Sequence, residues 1–293
     1  GQPAGRVLGE FGVTGVAAME IVRQAAFTAT DEAAPDDDTG PLGDLEWANA
    51  KRGRSMNYTG AARAALHRAI ARAAAARRTE FGPDDLLDAL LATPDSNPNR
   101  ATEVITRLGV DPRRVRERLA GGAAPERPAI APELEPTRDA VLGVAPYSVR
   151  GFAGRMALGV MRAVNANLAR TPVPWAKLDA EDQARRLGHR TVRTAHVVLA
   201  LLAMHEVTRD LPHLITDVTD RYSGARALAG TGATYAAARA ALAAEPPGRD
   251  PRRYRSYVDG RRDTTALVTA ILDGDTSASR LLAALGVAKP DVS

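Results

Sequence analysis

The side chains that could do chemistry are few, and their spacing excludes most catalytic classes. Cys is absent from the 293 residues, so this chain has no disulfide, thiolate metal site or cysteine nucleophile. The five histidines, His67, His189, His196, His205 and His213, never take H-E-x-x-H or a comparable ligand spacing. No serine stands in G-x-S-x-G, and no G-x-x-x-x-G-K-[ST] occurs to cradle the phosphates of ATP. No paired carboxylates stand in a defined acid/base context. Two groups of acids remain. In Gly82-Pro83-Asp84-Asp85 the carboxylates open a helix and suit the positive end of its dipole. The run Asp31, Glu32, Asp36, Asp37 and Asp38 has no His beside it, and reads as a solvated linker rather than a metal site. The expectation is a non-enzymatic chain with no cofactor and no metal.

The acids of Gly82–Asp85 sit in the most regular stretch, Tyr58–Ala120. Ala62, Leu66, Ala69, Ile70 and Ala73 recur at three- and four-residue spacing, so they share one face of a helix. Arg63, Arg68, Arg72 and Arg77 fall largely on the other face. Thr59 precedes that run as an N-cap, its hydroxyl facing an otherwise unpaired backbone N–H. A second helix follows Gly82-Pro83 and carries Leu86, Leu87, Leu90 and Leu91. The third runs over Ala101–Leu108 and stops at Gly109, a residue that tolerates the left-handed conformation of a helix end. Asp111-Pro112 opens the fourth, with Val115 and Leu119 inward.

Thr59-x-x-Ala62-x-x-x-Leu66, then Phe81-Gly82-Pro83-Asp84-Asp85-Leu86-Leu87, then Leu108-Gly109-Val110 together resemble one repeat of the Clp N-terminal domain, the Clp repeat domain of ClpA, ClpB and ClpC unfoldases. The resemblance implies an all-α fold of tandem four-helix Clp repeats in a pseudo-twofold arrangement. Thr137-x-x-Ala140-x-x-x-Val144 restates the first signature, and Thr194-Ala195-His196 resembles a second-helix start. Repeat two is thereby expected over 133–245, with an insertion at about 145–175 in its first helix. Two registers stay open there: Ala176–His189 as the later half of that helix, following a break at Thr171–Trp175, or Phe152–Ala169 as the helix itself. Residues 1–27 read as a partial repeat or helical arm, because Phe11-Gly12-Val13 stands like Leu108-Gly109-Val110. Residues 28–55 form an acidic/basic linker, 56–122 repeat one, and 246–293 a C-terminal partial repeat ending in Leu285-Gly286-Val287. Further linkers are read at 121–132 and 245–250. Leu228-Ala229-Gly230-Thr231 takes the Leu-Gly-Val place in repeat two.

The family relation also implies ligands. In some ClpC-type domains a Thr at the first helix start and a Glu at the second bind phosphoarginine, the carboxylate meeting the guanidinium. By motif position repeat one offers Thr59 and Asp84, a shorter acid, with Asp85 beside it. Repeat two offers Thr137, but Ala195 stands in the acidic place between Thr194 and His196. Tyr58 takes the aromatic position before the first helix. Each residue has a plain alternative in capping, dipole or core packing. The implied partners are Clp unfoldase and protease components, adaptors, substrate peptides and cyclic peptide antibiotics, bound by a module without ATPase domains.

Composition agrees with a helical, cytoplasmic reading. Aromatics are only 4%, and small Ala side chains permit close helix approach. No run of about 18 apolar residues predicts a membrane span. The first residues lack the order of a signal peptide, and an initial Gly suggests processing, tagging or truncation. Net charge is +4, and only three of 39 basic residues are Lys. A basic scaffold that binds nucleic acid is the alternative, set aside because acids are interspersed and no recognition motif or aromatic interleaving is evident.

Overall fold

The computed structural model describes residues 3–28, 39–40, 58–92, 99–125, 130–145, 147 and 167–291, without the side chains of 3, 24–28, 39–40 and 58–61. The acidic run at 31–38, Trp47, Lys51–Arg54 and the segment from Phe152 to 166 lie outside the described residues. Fourteen α-helices account for most of what is described: α1 Pro3–Glu10, α2 Gly15–Thr28, α3 Gly60–Ala75, α4 Pro83–Leu91, α5 Arg100–Arg107, α6 Pro112–Leu119, α7 Glu135–Val141, α8 Pro172–Arg186, α9 Thr194–Asp210, α10 Ser223–Gly230, α11 Tyr235–Ala244, α12 Arg255–Val258, α13 Thr264–Ile271 and α14 Ser277–Ala284. The fold class is all-α. The only extended pairing among the described residues is a two-residue antiparallel ladder of Thr39–Gly40 (β1) with Tyr58–Thr59 (β2).

Two compact units emerge, Gly1–Thr14 with Ala18–Pro128, and Gly15–Ala17 with Ala129–Ser293. The stretches read as repeat one and repeat two fall in different units. In the first, α1, α4, α5 and α6 share a core of Ala4, Val7, Val13, Leu87, Leu91, Ile105 and Val115. The helix ends follow local chemistry. Asn99 and Asp111 cap α5 and α6 through their side-chain oxygens, accepting from Thr102 N–H and Arg113 N–H. Gly109 stands at φ 76°, where its N–H bonds Thr106 O and that of Val110 bonds Ile105 O. Phe11-Gly12-Val13 closes α1 in the same way, with Gly12 at φ 74°.

The inner face of α3 is narrower than its pattern suggested. Ala65, Ala69 and Ala73 are buried, while Leu66 and Ile70 are only half-buried. A line of Cβ groups lets α3 and α4 lie close, and the longer side chains flank the seam. Arg68 leans across that seam to donate to Ala89 O, at 3.2 Å from Nε and 3.1 Å from Nη2.

The second unit is built around α9. Thirteen of its seventeen residues are buried, because Val, Leu, Ala and Met surround it on all sides. It packs on α7, α8, α10, α11, α13 and α14. Helix α8 begins at Pro172, so the stretch Thr171–Trp175, expected as a break before Ala176, holds the N-cap and first turn of this helix. Proline is tolerated in a first turn, where the N–H groups have no intrahelical acceptor. The turn after α10 comes two residues later than expected: Gly232, at φ 89°, holds the left-handed position, and Gly230 is still helical.

Helices α9–α10 and α13–α14 form two pairs that exchange partners. α9 packs on α14, and α13 packs on α10. The first-turn hydroxyls repeat the exchange. Thr194 Oγ1 of α9 accepts from Ala278 N–H of α14 at 3.0 Å, and Thr264 Oγ1 of α13 accepts from Ala225 N–H of α10 at 3.0 Å. Gly224 lies so close to α13 that a Cβ there would sit 2.2 Å from Thr264 O.

Candidate recognition sites at the helix starts

In the first unit the acids of α4 are held by the neighbouring helices. Gly82 is the extended N-cap, and the Asp85 carboxylate turns back to accept its N–H at 2.8 Å. Asp85 is buried, and Arg78 Nη2 donates to it at 2.5 Å while Arg72 Nε lies 3.3 Å away. The Arg78 hydrogen bond is the main cause that holds the Asp85 carboxyl below the usual carboxylate range. Asp88, one turn on, accepts from Arg116 Nε at 3.0 Å and also pairs with Arg72. The chain Arg78–Asp85–Arg72–Asp88–Arg116 thus ties α3, α4 and α6 together. Asp84 accepts the backbone N–H of Ala4 at 2.8 Å, and so caps the first turn of α1. Thr59 directly precedes α3, and Tyr58 precedes it in β2; their side chains lie outside the described residues.

The corresponding residues of the second unit are enclosed. Thr137 is fully buried and donates to Asp179 Oδ1 at 2.7 Å. Asp179 also accepts from Tyr147 Oη at 3.0 Å and from Gln183 Nε2 at 3.2 Å. Trp175 Nε1 donates to Tyr147 Oη at 2.7 Å, and Tyr235 Oη donates to Gln183 Oε1 at 3.1 Å. Among the described residues three donors converge on this carboxylate and no ion pair reaches it. Burial is the largest influence and pushes Asp179 up to about 6, against the opposing pull of the Thr137 bond and the Arg186 charge.

Thr194 is also fully buried, at a junction of two helix starts. Its hydroxyl donates to Asp250 Oδ1 at 2.8 Å, and its N–H reaches Oδ2 at 2.8 Å. Ser277 N–H donates to the same carboxylate at 2.7 Å, and Ser277 Oγ accepts from Ala195 N–H at 3.1 Å. One carboxylate therefore satisfies the starts of α9 and α14 at once.

His196 plays the part at α9 that Asp85 plays at α4: its Nδ1 accepts the N–H of Arg193 at 2.9 Å, three residues back. The ring proton must then sit on Nε2, which faces His189 Nδ1 at 2.8 Å. Burial first, and the neighbouring His189 second, bring His196 down to about 4.

The expected site residues are thus placed apart. Asp84 and Asp85 stand together at α4, Thr137 lies in the Asp179 network, and Thr194 and His196 stand at α9. Asp250, Ser277, Asp179, Tyr147 and Gln183 were not anticipated. A Thr-Ser pair before the α14 run is a readable cap signal, but nothing in the sequence marks Asp250, assigned to a linker, as a partner of residues 194 and 277. Among the described residues no group of three His, Asp or Glu is placed to hold a metal ion, and no helix is long and apolar enough to cross a membrane. Comparison with protein-family models, curated proteins and solved structures gives no match.

Proposed function

We propose that this chain is a non-enzymatic protein- and peptide-recognition module, resembling the Clp N-terminal domain and acting as a regulator or decoy of a ClpC-type unfoldase in the cytoplasm. The observation that carries this reading is the exchange of partners between the helix pairs α9–α10 and α13–α14, each sealed by a first-turn threonine hydroxyl. Tandem helical repeats in pseudo-twofold packing produce that exchange. In the first unit α1, which ends in Phe11-Gly12-Val13, packs on α4 and α6 as α14, which ends in Leu285-Gly286-Val287, packs on α9 and α11.

Within this reading the ligand surface is the start of α4. Thr137, Thr194 and His196 are fully buried with internal partners, so the second unit presents none of them to a ligand. Asp84 is half-buried and its bond to Ala4 N–H is one that a guanidinium can displace. Arg78, close enough to feel the Asp84 charge, is bonded to Asp85, and a phosphoryl or carboxylate group would share that guanidinium. Adaptors, substrate peptides, phosphoarginine and cyclic peptide antibiotics are the partners this surface would meet.

The test is titration of the chain with purified ClpC-type unfoldase, its adaptors and a phosphoarginine peptide, beside the Thr59→Ala, Asp84→Arg double variant. Binding of one of these, lost in the double variant, supports the proposal. Binding that the variant leaves intact moves the site away from α4. No binding to any of them rejects a role in a Clp system.

A further inference from the structure

Residues 249–262 connect α11 to α13 and were read as the end of a linker and the start of the C-terminal partial repeat. They carry six arginines, Arg249, Arg252, Arg253, Arg255, Arg261 and Arg262, and all six are exposed. Two acids, Asp250 and Asp259, stand among them and Asp263 follows, which at the level of sequence offsets half of that charge. The fold gives each acid a partner other than these guanidiniums. Asp250 is spent on Thr194 and Ser277 at the two helix starts. Asp259 accepts from Lys177 Nζ at 2.7 Å, and Asp263 caps α13 by accepting from Ala266 N–H at 2.8 Å.

The two tyrosines also serve as anchors. Tyr257 is buried, and Tyr254 donates its hydroxyl to Glu181. The backbone is pinned as well, because Arg280 Nη2 donates to Arg249 O at 2.8 Å. Of the six, only Arg255 approaches an acid among the described residues, Glu181 at 3.8 Å. Arg249, Arg252, Arg253, Arg261 and Arg262 have no ion pair among the described residues. The guanidinium of Arg252, an exposed residue, lies over the Tyr257 ring, its carbon 5.3 Å from the centroid. The result is a strip of five exposed arginines outside any ion pair among the described residues, on an anchored backbone.

We propose that this strip binds the phosphate backbone of duplex nucleic acid without reading its sequence. Guanidinium forks match phosphate oxygens in pairs, and several of them along one segment suit a linear polyanion. No aromatic ring of the segment is open for base stacking, which argues for the duplex over a single strand. No helix here presents a reading face, since α12 is only four residues long. The inference does not rest on the recognition reading above, whose ligand surface lies in the other unit.

The test follows binding of the intact chain to a fluorescent duplex of about 20 base pairs by anisotropy, from about 50 to 200 mM NaCl. Five phosphate contacts predict a log–log salt slope of about −4.5, a loss of roughly 500-fold in affinity over that range. The triple variant Arg252→Gln, Arg253→Gln, Arg262→Gln should reduce the slope to about −1.8. The triple Arg252→Lys, Arg253→Lys, Arg262→Lys keeps the charge and should keep the slope, so a fold defect cannot pass for a lost site. Arg6→Gln, Arg100→Gln, Arg114→Gln makes the same change of net charge in the other unit and should leave the slope in place. Absence of duplex binding by the parent chain overturns the proposal, as does an equal loss in the control triple. Tighter binding of a single strand of equal length, or of a labelled Asp/Glu-rich peptide, also overturns it and assigns the strip to that partner.

Discussion

Removing one buried carboxylate should make the second unit acid-sensitive, because Asp179 and His196 titrate with opposite sign over the same pH range. His196 falls from 6.5 to about 4 on folding. Between those values the unfolded chain binds the extra proton, so this group's contribution to stability shrinks as pH falls, by about 1.4 kcal/mol per pH unit and roughly 3 kcal/mol in all. Asp179 rises from 3.8 to about 6. Between those values the folded chain binds the extra proton, so its contribution grows as pH falls, again by about 1.4 kcal/mol per unit. From pH 6 to 4 the two nearly cancel.

Asp179→Asn keeps the oxygen that accepts from Thr137 and Tyr147 and removes the titration. The variant should lose stability relative to the parent by about 1.4 kcal/mol for each unit of acidification from pH 6 to 4. His196→Gln should show the reverse trend. The assay is urea unfolding at several pH values in a Trp47→Phe background, where the only remaining Trp, Trp175, is fully buried in this unit and bonds Tyr147 of the Asp179 network. Groups common to both chains drop out of the difference. A parent–variant difference that does not change between pH 6 and 4 would refute the reasoning.

Further outcomes follow from the helix starts. Thr194→Val and Thr264→Val each strip a buried N–H of its acceptor, and each should cost roughly 1–3 kcal/mol in urea unfolding; a large cost at one site and none at the other would break the proposed equivalence of the two helix pairs. Gly224→Ala should destabilise by at least about 1–3 kcal/mol, because its Cβ meets backbone at Thr264, whereas Gly230→Ala, with nothing within 4 Å, should change the thermal midpoint little. Asp85→Ala removes the bond back to Gly82 N–H and the partner of Arg78, and should lower the stability of the first unit by roughly 1–2 kcal/mol, read by hydrogen exchange of α4 amides. The Asp85 carboxyl lies below the ordinary range, so its contribution is present above about pH 4 and is lost only on further acidification.

Local chemistry made much of the fold readable. Asn99, Asp111, Thr234, Asp263 and Thr276 each accept an N–H two or three residues on, as their types and positions before apolar runs indicate. Gly12, Gly109 and Gly286 end helices with positive φ, where a Cβ would be strained. Val197–Met204 is apolar without a break, and α9 is buried along that whole stretch. These are interactions within a few residues, and the chain carries them in its order.

The fate of the polar residues was decided elsewhere. Thr137, Thr194 and His196 stand at helix starts in the sequence, where a hydroxyl or ring can face a cap, a core or a ligand. Tertiary packing brought Asp179, Asp250 and His189 to them and closed each against solvent. Asp250 is 56 residues from Thr194 and 27 from Ser277, and no local rule relates such positions. The charge of residues 249–262 is the clearest case. Order along the chain mixes acids with arginines, which averages the charge away. Folding turns each acid toward a lysine or a helix start and leaves five exposed arginines outside any ion pair among the described residues. The sequence determined which helices form and where they stop, because those energies are local. Only the tertiary structure decided which charges are spent inside and which remain to meet a partner, because an ion pair depends on distance in space rather than along the chain.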